Sequence, residues 1–198
     1  MDSRPLDRTT AFTDAAVAIA LTLLVLPLVE VVHSAPQTPL PELVDGHGDD
    51  LLAFVVSFFV VMTFWRAHRR LFEPVQRLDE RLLTLNGLWL LGVVFLPVPT
   101  AVLTFEAGDP TGAAVFYLGN LLYVALANLA LAAWVYHRRS LWSPEHTGVL
   151  RQYRHRALAA VAVIAVATVL AVPFGGYALL TLAVVPAVQY LQRRRRTR

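Results

Sequence analysis

Long apolar runs limit this chain more than any other feature. Four stretches, about Ala11 to Val32, Leu51 to Leu71, Leu82 to Phe105 and Ala113 to Tyr136, are mostly apolar over the roughly 20 residues that a helix needs to cross a bilayer. Two shorter runs follow, Ala157 to Phe174 and Tyr177 to Leu191, and Gly175-Gly176 between them suits a tight turn better than one very long helix. Hydrophobic residues fill 57% of the 198 positions and charged residues 16%, so a water-soluble fold of this size would lack polar surface to cover itself. The expected fold is all-α: one membrane domain over 1–198 with six spans, no soluble domain and no internal repeat.

Charge placement sets the expected topology. All seventeen basic residues are arginine. Arg4 and Arg8 precede the first run, Arg66, Arg69, Arg70, Arg77 and Arg81 surround the second connection, and Arg138, Arg139, Arg151, Arg154 and Arg156 surround the fourth. The rest close the chain. The first and third connections carry Glu42, Asp45, Asp49, Asp50, Glu106 and Asp109 and no arginine. By the positive-inside rule both termini are cytoplasmic, which agrees with an even number of spans. Asp2, Arg4, Asp7 and Arg8 precede an apolar run too long for a signal peptide and without a small-residue cleavage pattern, so the run is expected to stay as the first helix. No cysteine is present, which removes disulfides and thiolate metal sites.

The outer connection His33 to Asp50 holds Pro36, Pro39 and Pro41, a spacing that predicts extended or irregular chain forming a cap or rim. The inner connection His137 to Arg156 is expected to be polar linker, and the alanines of the fifth span (Ala157, Ala160, Ala167, Ala171 among them) to allow close helix packing.

The first run carries the most chemistry. A carboxylate at the edge of a span is costly without partners, so Asp14 requires them. Trp65 and His68 near the inner end of the second span and Asn86 near the inner start of the third share its depth, and Thr13 adds a hydroxyl. Indole, imidazole and amide groups can all donate to a carboxylate, which predicts a polar network docking the first helix on its neighbours. The alternative is an interfacial belt tryptophan and a histidine facing water.

Arg8, Phe12, Thr13 and Asp14, followed by an apolar run with Thr22 in its middle, resemble the Arg-x-x-x-Phe-Ser-Asp signature of the lysosomal potassium channel family, transmembrane protein 175 of animals and its bacterial homologues. Threonine replaces the serine and keeps the hydroxyl. Ser57-Phe58, Trp65, His68, Leu71-Phe72, Asp79, Asn86 and Leu96-Pro97 extend the likeness to about residue 100; beyond it the similarity is one of hydropathy and span count.

The resemblance implies a homotetramer in a lipid bilayer, with a potassium-preferring pore formed by the first helices and no carbonyl filter loop. Carried over by position from the aspartate, the pore-facing residues are Ile19, Thr22, Leu23 and Leu26, and their steps of three and four residues share one helix face. Ile19 would form the narrowest ring, a hydrophobic constriction that gates by dewetting, and Thr22 a ring of hydroxyls that replaces part of an ion's water shell. Pro27 cannot donate to the Leu23 carbonyl, which leaves that oxygen for the pore or a water, or leaves a kink repaired by a neighbouring side chain. Pro27 stands where many bacterial relatives carry an acidic residue. Glu30, one turn further out, either replaces it or is an exposed helix-end glutamate.

Other readings are weaker. A secondary transporter would need an ionisable or broken-helix site at mid-membrane, where Thr22, Asn120 and Asn128 are the main polar residues. A membrane enzyme would need a nucleophile with a base, or metal ligands, at converging depth, and no such set is visible. Phe174-Gly175-Gly176-Tyr177 has no pore helix before it to make a filter, and the histidines lie in connections or at span ends, unsuited to a bis-histidine haem. Arg193 to Arg196 read as a membrane anchor or a contact for anionic lipid. No cofactor beyond permeant potassium, no partner beyond monovalent cations, lipid and further copies of the chain, and no nucleic acid are expected. The arginine-only, alanine- and valine-rich composition suggests a bacterial plasma membrane.

Overall fold

The computed structural model describes residues 4–104 and 108–174, and these are helical apart from short connections and one isolated antiparallel bridge between Val75 and Trp142. The helices are α1 (Arg4–Leu23), α2 (Leu26–Ser34), α3 (Leu40–Gly46), α4 (Gly48–Phe72), α5 (Glu80–Phe95), α6 (Pro97–Thr104), α7 (Pro110–His137) and α8 (Thr147–Phe174). Five stretches among the described residues are long and apolar enough to cross a membrane: Arg4–Ser34, Gly48–Phe72, Glu80–Thr104, Pro110–His137 and Pro144–Pro173. The expected sixth span, its Gly175-Gly176 turn, Glu106 and the Arg193 to Arg196 cluster lie outside the described residues.

Two spans are broken where proline dictates. Pro27 has no N–H to give the Leu23 carbonyl, and α1 ends at Leu23. The chain tightens there, with the Val25 N–H on the Thr22 carbonyl at 3.3 Å, and α2 restarts with Pro27 in its first turn, where a missing N–H costs nothing. Pro97 acts likewise on the third span: the Leu96 N–H turns to the Val93 carbonyl (3.2 Å) and α6 begins.

The outer connection corrects one expectation. Its prolines do not exclude a helix, because Pro39 stands at the N-cap of α3 and Pro41 in its first turn, positions that need no donor. The inner connection is also shorter than its polar composition suggests. α8 starts at Thr147, so Arg151, Arg154 and Arg156 are helical and continuous with the span. Arginine is a good helix former, and hydropathy marks only the part of a helix that meets lipid.

α7 forms the centre of the subunit, packing most extensively on α8 and then on α5 and α6. Tyr117, Leu118, Leu121 and Leu131 of α7 are buried with Trp89 of α5 and with the small Ala167 and Ala171 of α8. Asp109 caps its start by accepting from the Gly112 N–H at 2.7 Å, and Asp79 caps α5 by accepting from the Leu82 N–H at 2.7 Å. α5 and α7 approach closely at Gly92, where a Cβ would lie 2.6 Å from both Tyr123 Cδ1 and Val124 Cγ2. The same contact adds two bonds to main-chain carbonyls, Asn120 Nδ2 to Gly92 (3.1 Å) and the Tyr123 hydroxyl to Leu88 (2.9 Å).

α1 lies at the edge of this core and docks on α5 and α4. Thr13, Val17, Ala20 and Leu24 are buried, a spacing of four, three and four residues that draws one stripe along the helix.

Candidate functional site

The polar residues flanking α1 form two separate arms rather than one network centred on a carboxylate. In the outer arm the Trp65 indole donates to Asp14 Oδ1 at 2.7 Å, and the Arg69 guanidinium lies 5.1 Å from the Trp65 ring centre. Asp14 is exposed in the single chain, so its second oxygen is open to further donors.

The inner arm is buried and does not touch the carboxylate. The Thr13 hydroxyl donates to the Thr9 carbonyl at 2.9 Å. With its proton committed, the Thr13 oxygen accepts, and Asn86 Nδ2 donates to it at 2.9 Å. That turns Asn86 Oδ1 toward His68, whose Nε2 stands 2.7 Å away and must therefore carry a proton. Imidazole orientation is fixed by stacking as well: His68 lies between Phe72 (4.5 Å between ring centres) and Trp89 (4.1 Å), both within 24° of parallel. Trp89 Nε1 is buried without a hydrogen-bond partner among the described residues.

Helix rotation explains the split. Thr13 lies on the buried stripe of α1 and Asp14 one step of about 100° around the helix, so only the hydroxyl can reach α5 while the carboxylate meets the flank of α4. Arg8 and Phe12 are exposed and join neither arm.

The residues read as pore-facing occupy the other side of α1 and the start of α2. Ile19 is 60% exposed, Leu23 37% and Leu26 49%, and Thr22 is exposed between them. The Thr22 hydroxyl gives its proton to the Ile19 carbonyl at 2.7 Å, so its oxygen lone pairs point outward. Glu30 is also exposed.

A second buried cluster was not anticipated as a site. Tyr117 of α7 lies 3.1 Å from the Ser57 hydroxyl of α4, which lies 2.9 Å from the Thr100 hydroxyl of α6; Thr100 Oγ1 is also 2.9 Å from the Leu96 carbonyl. A lone hydroxyl inside an apolar span must find a partner, and that was the available signal. No group of three or more metal-ligating side chains occurs among the described residues.

Apolar spans, two of them broken at proline, and buried hydroxyl and amide clusters define a multi-pass α-helical membrane protein. Residues 8–97 match the family described as endosomal/lysosomal potassium channel TMEM175. The chain is 34% identical over 157 residues to a potassium channel of Streptomyces collinus, covering 77% of this chain and 71% of that protein. It is 37% identical over 122 residues to a potassium channel of Chamaesiphon minutus, covering 60% of each. The human endosomal/lysosomal proton channel TMEM175 matches at 26% over 156 residues, which span 29% of its length. The crystal structure of a lysosomal potassium-selective channel TMEM175 homolog from Chamaesiphon minutus superimposes with a TM-score of 0.63 at 29% identity, covering 90% of this chain and 97% of that one. The chain belongs to the TMEM175 family, a family of ion channels and not of enzymes.

Proposed function

We propose that this chain is one subunit of a homotetrameric, potassium-preferring cation channel that conducts passively along an axis surrounded by four copies of α1. The observation that carries the reading is the sidedness of α1. Thr13, Val17, Ala20 and Leu24 are buried inside the subunit, while Ile19, Thr22, Leu23 and Leu26 are left uncovered. Family membership supports ion conduction, and the named bacterial relatives support potassium as the ion.

In the assembled channel Ile19 forms an apolar ring narrow enough to exclude water when closed, and Thr22 supplies outward oxygens that replace part of the ion's hydration. The Asp14–Trp65 and Thr13–Asn86–His68 arms hold α1 at the rotation that aims these side chains at the axis. The whole chain, 1–198, forms one membrane domain with six spans and cytoplasmic termini in a bacterial plasma membrane, a topology supported by the arginine distribution.

The test is ion flux through purified protein in liposomes under a potassium gradient. A channel passes current that does not saturate like a carrier; slow, strictly stoichiometric exchange would favour a secondary transporter instead. Because animal relatives are named proton channels, a pH gradient at constant potassium forms the second arm, and current driven by protons alone would replace potassium as the permeant ion.

A further inference from the structure

Three aromatic rings gather at the arginine-rich end of α7. Trp134 and Tyr136 lie in its last turn, and Trp142 is fastened to the same turn by its indole, which donates to the Val135 carbonyl at 2.6 Å. Four guanidiniums rest on these rings. Arg81 and Arg138 lie 4.8 and 5.2 Å from the Trp134 ring centre, Arg139 lies 5.4 Å from that of Trp142, and Arg154 lies 4.3 Å from that of Tyr136. They come from the start of α5, the C-cap of α7, the turn after it and the first turns of α8. Tertiary structure thus assembles the corner, and no basic run in the sequence announces it.

The charge there is poorly balanced. Asp79 is the carboxylate bound within the corner, and its oxygens already accept from the Leu82 N–H (2.7 Å) and the Trp134 indole (3.1 Å to each). Its approach to a guanidinium is 3.9 Å, to Arg138 Nε. Glu80 and Glu145 are exposed nearby in sequence, and Arg81, Arg139 and Arg154 have no ion pair among the described residues.

A guanidinium lying on a ring keeps its edge free while its flexible stem is already ordered, which lowers the entropy lost when a ligand binds. That free edge is a planar fork matched to two oxygens of a phosphate. Tryptophan and tyrosine at the end of a span sit at headgroup depth. We infer that this corner binds the headgroup phosphodiester of an anionic phospholipid, held by Arg81 and Arg138, the two guanidiniums that share the Trp134 ring, while Tyr136 with Arg154 lies about 200° further round α7. The inference requires that the helices span a bilayer and does not depend on which ion the protein conducts.

The test is native mass spectrometry of the full-length protein in detergent, titrated with phosphatidylglycerol or phosphatidylcholine. Phosphatidylglycerol should bind at least about 5-fold more tightly, since one basic residue near a membrane surface is worth roughly that factor. Arg81→Gln with Arg138→Gln should cut phosphatidylglycerol affinity by about 10-fold or more and leave phosphatidylcholine unchanged. Trp134→Leu, which keeps every charge but removes the ring under Arg81 and Arg138, should weaken binding by a smaller factor, whereas Arg151→Gln on the exposed face of α8 should not. Equal affinity for the two lipids, an equal loss in Arg151→Gln, an unaltered Trp134→Leu, or displacement of the lipid by millimolar inorganic phosphate would each overturn the assignment.

Discussion

The Trp65 indole and the Asp14 carboxylate meet at 2.7 Å across 51 residues of sequence, joining the flank of α4 to α1 beside the arginine-bearing end of the molecule. One step further round α1, Thr13 makes the corresponding link to α5 through Asn86 at 2.9 Å. Adjacent residues therefore clamp one helix to two neighbours, and the rotation of α1 is fixed by polar bonds where apolar contact alone would let it slide.

Loss of the outer link should loosen that clamp. Asp14→Ala is expected to lower the yield of the proposed tetramer on size-exclusion chromatography, and Trp65→Phe, which removes only the donor, to lower it less. A fully stable, wild-type assembly from Asp14→Ala would remove the docking role.

The buried arm should matter more for stability. Asn86→Ala leaves the Thr13 oxygen and the His68 Nε2 proton without their partner in a region closed to water, each at a cost of about 1–3 kcal/mol. A thermal melt in detergent should show Tm well below wild type; an unchanged Tm would mean that water or another side chain satisfies both groups.

Close approach of α5 to α7 gives a steric prediction. Gly92→Ala places a Cβ 2.6 Å from Tyr123 and Val124, overpacking that costs about 1–3 kcal/mol. Gly119→Ala, with nothing within 4 Å of its new Cβ, should be neutral or slightly stabilising. The two melts together separate crowding from a general intolerance of substitution in the spans.

At the proposed constriction, Ile19→Asn should wet the apolar ring. The expected result in liposome recordings is a larger leak conductance and a weaker preference for potassium over sodium; currents indistinguishable from wild type would remove Ile19 as the gate.

Depth was legible in the sequence and rotation was not. Apolar run lengths and arginine placement put Thr13, Asp14, Trp65, His68 and Asn86 at one level. Which of them bond depends on how each helix is turned about its axis, and packing decides that, so the carboxylate-centred network resolves into two arms. The break after Leu23 follows from Pro27 alone, because a missing donor is a local property. Proline density alone does not reveal α3, because the N-cap and first turn of a helix tolerate proline. Likewise the early start of α8 escaped a reading based on hydropathy, which follows lipid contact and not helical bonding. Ser57, Thr100 and Tyr117 are far apart in the sequence, and only the fold shows that α4, α6 and α7 bring their hydroxyls together.

The absence of cysteine from the whole sequence allows the central claim to be tested at a single introduced thiol. Thr22→Cys is nearly isosteric and lies on the uncovered face of α1. Single-channel current through this variant, recorded before and after a charged, thiol-reactive methanethiosulfonate, should fall to near zero, because four modified side chains would crowd one axis. Current that persists unchanged after complete modification, verified by mass, would place that face against lipid and contradict the account.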